Sequence, residues 1–463
     1  MNTVVKALEQ ALEPGQLLVG DAIDARYKTD WSKAQVAQPL AVVRARTTEA
    51  VSQALRVCHA HDQPVTVQGG MTGLVGASQV NEGDVVVSLE FLNGVQEIDV
   101  PASCMTLWAG TPLQIAQEQA LDQGLYLAVD LGARGSCQVG GNIATNAGGN
   151  RVIRYGMMRE QVLGLEVVLA DGTIVSSMNK MLKNNAGYDI KQLFIGSEGT
   201  LGVVTRAVLR LHPVPSQTAT VLCALAGEAA MLQFLMRARQ AMGASLLAFE
   251  VMWPDFFAFM TQKVDGNVSP FGQAPTMAVL IEVATGQSGL SMETVERLLE
   301  QALEDDELTD AVIAQSGQQA AAFWRIRDSV SEFPILIAPY ASFDVSLPIE
   351  SVVRFVSTLK AQVQQQWPDA VSLFFGHIGD SNLHIVVHVP TTREQFPKEA
   401  IDAMVYELVG QYQGSVSAEH GIGTRKKKWL SQSRNPAEMA LMRTIKLALD
   451  PKQILNRGRV IDV

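Results

Sequence analysis

The chain has 463 residues, 47% hydrophobic and 18% charged, with a formal charge of −11 and a pI near 5.2. This length exceeds one ordinary hydrophobic core and predicts two domains; the acidity argues against nucleic acid or an anionic membrane as the main partner. Four scattered cysteines (Cys58, Cys104, Cys137, Cys223) without a Cys-x-x-Cys pair argue against a disulfide scaffold or an iron–sulfur site and point to a reducing cytoplasm.

From the start, residues 2–12 read as an amphipathic helix ended by Pro14-Gly15. Glu9 and Glu13 and the lack of a long apolar run predict no secretory signal. Nowhere does an uncharged run approach the ~20 apolar residues of a membrane span, so any membrane contact is expected to be peripheral. Pro39–Val43 reads as a strand, and Thr47-Thr48-Glu49 opens a helix to about His61, with Val51, Leu55 and Cys58 at helical spacing. The strand Pro64–Val67 runs into Gln68-Gly69-Gly70-Met71-Thr72-Gly73-Leu74-Val75-Gly76. This is neither a P-loop, for lack of Gly-Lys-Ser/Thr, nor a Rossmann turn. A strand entering a glycine loop still suits phosphate binding by backbone amides, and a tight turn is the plainer alternative. Val85–Leu89 and Thr106–Ala109 read as strands, and Thr111-Pro112 opens the helix Leu113–Gln123, closed by Gly124.

The stretch Asp130–Asn150 is dense in glycine and small polar residues, with Arg134 as a cation. It reads as a wall moulded against a large, flat, polar ligand carrying phosphates, or more plainly as a surface loop. Val162–Leu169 and Thr173–Val175 form strands around the turn Asp171-Gly172. A third glycine-rich loop, Gly196–Gly202, leads into another strand. Three such loops in one half of the chain strengthen the nucleotide-like ligand.

His212-Pro213-Val214-Pro215 marks a boundary. Beyond it the pattern predicts helix Ala229–Met242, strands Ala244–Met252 and Met277–Val283, helix Met292–Glu304 and a solvated acidic turn Asp305-Asp306-Glu307. A helix Ala321–Val330, a strand Asp344–Pro348 and a helix Ile349–Gln366 follow. The order suggests an α+β cap: an antiparallel, ferredoxin-like sheet with helices on one face. Then comes the sharpest chemical cluster, Gly376-His377-Ile378-Gly379-Asp380-Ser381-Asn382-Leu383-His384, with Ser417-Ala418-Glu419-His420-Gly421 downstream. Imidazole plus carboxylate suits a borderline divalent metal, and His377, His384 and Glu419 would leave an open position. Core histidines without a metal are the plainer alternative. His388 shares a strand face with His384 and could be a ligand instead, but reads rather as a partly exposed polar residue.

The glycine loops resemble those of the vanillyl-alcohol-oxidase/PCMH flavoproteins. The resemblance implies FAD between two α+β subdomains, a PCMH-type domain over residues 1–215, a cap over 216–414 and a C-terminal segment, 415–463, returning to the FAD domain. It assigns to the cofactor Gly69, Gly70, Met71, Thr72, Gly73 and Leu74; Asp130, Gly135, Ser136, Gly140, Gly141, Asn142, Thr145, Asn146 and Gly149; Tyr155 and Gly156; Glu198, Gly199, Gly202 and Val204; and Asn456. The first loop carries Met71 and no histidine lies between His61 and His212, which predicts non-covalent FAD, with Cys137 as the residue to watch.

Gly376–His384 and Ser417–Gly423, with the closing Leu449-Asp450-Pro451 and Ile454-Leu455-Asn456, resemble the FAD-linked D-2-hydroxy-acid dehydrogenases. That resemblance implies a divalent metal, often zinc, on His377, His384 and Glu419, with His420 as base, Arg327 on the substrate carboxylate and Asn382 orienting carboxylate or base. Ser342 falls where hydroxyglutarate dehydrogenases carry lysine, which weakens the case for a dicarboxylate, and Ser331 where relatives can carry threonine. The expected substrate is D-lactate or a D-2-hydroxyglutarate-like acid. The expected acceptor is an electron-transfer flavoprotein, quinone or cytochrome, and a homodimer is compatible. An oxidase using O₂, an alkyl-glycerone-phosphate synthase and a flavin-binding subunit of a glycolate-oxidase-type complex are the rivals.

Overall fold

The computed structural model describes residues 2–31, 35–286 and 289–463. The chain divides into two compact units: Met1–Gly149, Tyr155–Val214 and Glu419–Val463 form the first, Asn150–Arg154 and Pro215–Ala418 the second.

Two sheets build the first unit. In one, β1 (Leu17–Val19), β2 (Ala41–Arg44), β3 (Val65–Gln68) and β4 (Val85–Ser88) lie in the order β1-β2-β4-β3, with β2, β4 and β3 parallel. Every residue of β4 is buried, as in a parallel strand covered on both faces. The helix Thr48–Ala60 begins where the Thr47 side chain accepts from the Ala50 N–H, and it buries Val51, Leu55 and Cys58. The other sheet is antiparallel: β5 (Val95–Asp99), β6 (Cys104–Trp108), β8 (Val162–Val168), β9 (Ile174–Ser177) and β10 (Val203–Arg210), in the order β5-β6-β10-β8-β9. β7 (Leu125–Tyr126) and β11 (His212–Pro213) form a two-stranded ribbon. One apolar core joins Leu55 and Val85 to Leu107 and Val203, and takes in Ile454 and Leu455 from the end of the chain.

The wall expected as coil over residues 130–150 contains a helix, Val139–Thr145. Gly140 and Gly141 are poor helix formers; tertiary packing overrides them. Val139 and Ile143 enter the core, and Gly140 backs onto Ala109, where a Cβ would meet the Ala109 Cβ at 2.7 Å. Asn146, left-handed at φ 50°, ends the helix.

The second unit is built on a seven-stranded antiparallel sheet: β12 (Gln217–Leu225), β13 (Leu246–Met252), β14 (Met277–Thr285), β15 (Leu308–Ile313), β16 (Tyr340–Ser346), β17 (Val371–Gly376) and β18 (Asn382–His388), in the order β15-β12-β14-β13-β17-β18-β16. Helices cover both faces rather than the expected one. Met252, Ala278 and Leu280 pack under Phe256 and Phe323 of the helices Pro254–Lys263 and Gly317–Asp328. On the opposite face Phe249 meets Phe234 of the helix Glu228–Met242. All nine residues of β14 are therefore buried, which is why its sequence, read as a strand over Met277–Val283, is a nearly continuous apolar run rather than an alternating one. The strand expected at Asp344–Pro348 begins four residues earlier, at Tyr340. The acidic turn is not wholly solvated: Glu307 is buried and accepts from Arg237 at 2.8 and 2.9 Å, while Asp305 stays exposed. Among the described residues no helix is long and apolar enough to cross a membrane.

Candidate active site

In the first unit, β3 and its glycine loop, the helix Val139–Thr145 and the turn before β10 enclose a cleft with an empty volume of about 800 Å³. Gly70 must be glycine: a Cβ there would overlap the Ser136 carbonyl and the Cys137 Cα. Met71 (φ 61°), Glu198 (φ 53°) and Asn456 (φ 43°) line the cleft in left-handed conformations that non-glycine residues seldom adopt. Such backbone strain is characteristic of ligand-binding walls. Among the described residues the buried Gln138 Oε1 and Asn142 Oδ1 have no hydrogen-bond partner, and both residues face this cleft. Buried acceptors of this kind call for a donor from a ligand or water. The walls therefore fit a polar ligand pressed against glycine backbone, as FAD would be.

Of the residues assigned to the cofactor, Gly69, Gly70, Met71, Thr72, Gly73, Gly140, Gly141, Asn142, Thr145, Glu198, Gly199, Gly202, Val204 and Asn456 line the cleft. Leu74, Asp130, Gly135, Ser136, Asn146, Gly149, Tyr155 and Gly156 do not. Gly135 and Ser136 are exposed. Asp130 pairs with Arg134, and Asn146 Oδ1 accepts from the Arg159 N–H at 2.8 Å. Val67, Ser78, Leu89, Gln138 and Ala144 line it without having been singled out as cofactor contacts, and Cys137, named only as the residue to watch for covalent attachment, lines it too. Gln138 is the one with a readable signal, a polar residue beside the glycine pair. The Glu198 carboxylate is spoken for: it accepts from the N–H groups of Ile422 at 2.6 Å and Gly423 at 2.8 Å. Burial pushes this carboxyl above its ordinary range, and those two N–H groups act against the rise. Glu198 thus holds the loop that follows Glu419 and His420. Within this unit Glu419 Oε1 accepts from the Gly149 N–H at 3.2 Å, and a Glu419 oxygen and a His420 nitrogen lie within 4.8 Å of each other.

In the second unit, β17 and β18 bring the histidines together. Phe375 pairs with His384 across the ladder, and the 3₁₀ turn Ile378–Asp380 closes where Asn382 donates its N–H to the His377 carbonyl at 3.1 Å. The rings of His377 and His384 lie 5.4 Å apart, edge to face, with ligand nitrogens within 4.8 Å. Asn382 is buried, and among the described residues neither atom of its amide has a partner. Two converging imidazoles beside an unpartnered amide fit a borderline divalent cation and its oxygen ligands. His388 donates from Nδ1 to the Pro339 carbonyl at 2.8 Å; Asp344, opposite His384 in β16, accepts from the Ser417 hydroxyl at 3.3 Å.

Arg327 is no surface arginine. It is buried, lies over the Phe375 ring at 4.9 Å and donates from Nε to Glu250 Oε2 at 2.7 Å. Glu250, absent from the sequence-based candidates, is also hydrogen-bonded to His377 Nδ1. The β13–β17 register, with Val251 opposite Gly376, sets these two side chains next to each other. Burial alone would raise the Glu250 carboxyl; His377 and Arg327 outweigh it and hold the group at about 2. The missed signal is a lone carboxylate in the apolar run Leu246–Met252.

Residues 214–460 match the family described as FAD linked oxidases, C-terminal domain, and residues 39–177 match an FAD binding domain. The chain belongs to the FAD-linked oxidase family. It is an FAD-dependent oxidoreductase of PCMH-type fold, with mixed helix and antiparallel sheet. A protein of Xanthomonas citri pv. viticola named D-2-hydroxyglutarate dehydrogenase is 38% identical over 99% of this chain and 97% of its own length. The Bos taurus protein named D-2-hydroxyglutarate dehydrogenase, mitochondrial, is 37% identical over 98% of this chain and 82% of that one. The structure of 4-ethylphenol oxidase from Gulosibacter chungangensis superposes with a TM-score of 0.74 at 19% identity, covering 99% of this chain and 96% of that one.

Proposed function

We propose that this FAD-linked oxidase family member is a D-2-hydroxy-acid dehydrogenase that oxidises the Cα hydroxyl to a 2-oxo acid and passes its electrons to an acceptor other than O₂. The observation that carries the reading is the convergence of His377 and His384 beside the unpartnered amide of Asn382. When bound, FAD supplies a hydride acceptor, and a divalent cation, zinc by its donor set, supplies Lewis acidity to the hydroxyl. His377, His384 and Glu419 are the residues to hold that cation. His420 takes the hydroxyl proton as general base. Arg327 presents a planar cation to the substrate carboxylate, and Asn382 orients the carboxylate or the base. The cofactor is held without a covalent bond: Met71 offers no nucleophile, and burial pushes the Cys137 thiol up, which leaves little thiolate to attack.

The relatives named D-2-hydroxyglutarate dehydrogenase support a D-2-hydroxy acid. Ser342, exposed in β16, gives no cation for a second carboxylate, so the reading favours a monocarboxylate such as D-lactate. The test is anaerobic bleaching of the flavin by matched D- and L-2-hydroxy acids, followed by admission of air. Bleaching by D-acids and slow reoxidation are expected; bleaching by L-acids alone, or rapid reoxidation, overturns the proposal. Activity that survives removal of all metal would remove the cation from it. Ser342→Lys is expected to shift kcat/KM toward D-2-hydroxyglutarate over D-lactate by about tenfold, the effect of one added ion pair.

A further inference from the structure

Glu250 has no part in the chemistry above, yet it is fully buried, at 0% exposure, beside two residues that do. A carboxylate in such a place is tolerated only when each oxygen is satisfied. Here Oε2 takes the Nε–H of Arg327 at 2.7 Å and Oε1 takes Nδ1 of His377. An ionised carboxylate only accepts, so Nδ1 must carry the proton. The third side gives the same answer. Arg327 Nη2 lies 3.1 Å from His377 Nε2, and a guanidinium only donates, so Nε2 must offer its lone pair. The three side chains close a ring of hydrogen bonds with one consistent proton assignment.

We propose that Glu250 is a positioning residue that locks His377 in the Nδ1–H tautomer, leaves Nε2 as the unprotonated nitrogen, which accepts from Arg327 here and would exchange that donor for a metal ion, and anchors Arg327 against the same imidazole. One carboxylate thereby sets both a metal ligand and the cation for the substrate carboxylate. The consequence for metal binding rests on the reading of His377 as a ligand; the tautomer does not. Carboxylates behind ligand histidines act in this way in general, and their loss typically costs about 10–100-fold in metal affinity.

Glu250→Gln separates this role from a merely structural ion pair. The carboxamide oxygen would accept from Arg327, and its NH₂ would face Nδ1. The ring proton would then shift to Nε2, onto the atom meant for the metal, and the Arg327 Nη2–H that faces this nitrogen would have to turn away. The experiment uses the full-length, FAD-containing protein with ¹⁵N-labelled histidine, and His377 is identified by its loss in His377→Gln. The wild type, stripped of metal, is expected to show the Nδ1–H tautomer, and Glu250→Gln the Nε2–H tautomer. Zinc affinity, measured by competition with a chromophoric chelator, is expected to fall about 10–100-fold in Glu250→Gln. Glu250→Asp, still an acceptor-only group, should restore the Nδ1–H signal and most of that affinity. A wild-type His377 protonated at Nε2, or a Glu250→Gln protein with unchanged tautomer and zinc affinity, overturns the proposal. If Glu250→Gln does not accumulate as folded protein, the wild-type tautomer alone decides. If His384→Ala leaves zinc affinity unchanged while the tautomer answers to Glu250, the metal reading fails and the positioning role stands.

Discussion

Replacing His420 by alanine removes the proposed proton acceptor and leaves the cleft lining intact, since His420 is not part of it. A general base contributes about 10²–10⁴-fold, so kcat/KM for the D-acid should drop by that factor while the flavin absorbance per protein is unchanged. Unaltered turnover would assign the base elsewhere. Gly70→Ala should do the opposite. Its Cβ would collide with the Ser136 carbonyl and push the two walls of the cleft apart, so the protein should purify with flavin well below one per chain. Any remaining flavin-loaded fraction should keep its turnover. These two residues also show what a sequence exposes at this scale. His420 stood out as a candidate because rare residue types sit close together along the chain, and Gly70 because glycines repeat. Glu250 was not: its partners lie 77 and 127 positions away, and the register of β13 on β17, rather than any local pattern, makes them neighbours.

Among elements, the join between the helix Thr48–Ala60 and the antiparallel sheet of the first unit depends on one carboxylate. Glu166 in β8 accepts from the Thr48 hydroxyl at 2.6 Å and the Thr205 hydroxyl at 3.1 Å, and from Arg206 at 2.6 and 2.8 Å. Burial raises this carboxyl, but Arg206 and the two hydroxyls outweigh it and hold the group below its ordinary value. A folded-state value below the unfolded one adds stability that is full above the unfolded value and is lost as pH falls through the folded one. Glu166→Gln should therefore cost about 2 kcal/mol near neutral pH, the scale of hydrogen bonds to a charged group. The gap to wild type should close as the pH drops into the acid range, a trend that denaturant midpoints at several pH values will measure. A gap that stays constant with pH would mean the carboxylate is not the source. Elements were legible where one face is wet: the helix Met292–Glu304 was placed to the residue because its buried Val295, Leu298, Leu299 and Ala302 alternate with charge. Burial on both faces did not by itself hide an element, since β14 was read and β12 was not, and packing that forces glycine into a helix hid Val139–Thr145.

At the scale of the whole molecule, the first unit is discontinuous: its last segment, from Glu419, returns to the core begun by the first residues. Three contacts fasten the end of that segment. Leu455 bridges to Val65 at the head of β3, the buried Lys446 donates to the Thr200 and Leu455 carbonyls at 2.8 and 3.1 Å, and Asn456 accepts from the Val67 N–H at 2.8 Å while donating to the Glu198 carbonyl at 2.6 Å. Asn456 is thus both a wall of the cleft and the clasp between β3 and the turn that carries Glu198. Asn456→Ala deletes two hydrogen bonds worth about 1 kcal/mol each, so FAD binding to the deflavinated protein should weaken by about tenfold or more. Ligand stabilises only the folded form that binds it, by RT ln(1 + [L]/Kd). Because each unit has its own core, added FAD should raise the melting temperature of the first unit selectively. That rise should shrink in Asn456→Ala, and the melting of the second unit should not move in either protein. Local hydrogen exchange followed with temperature will assign each transition to its unit. Equal FAD-induced protection of both units would show that the cofactor stabilises the chain as a single cooperative body, and that the C-terminal clasp is not what ties its binding to the first unit.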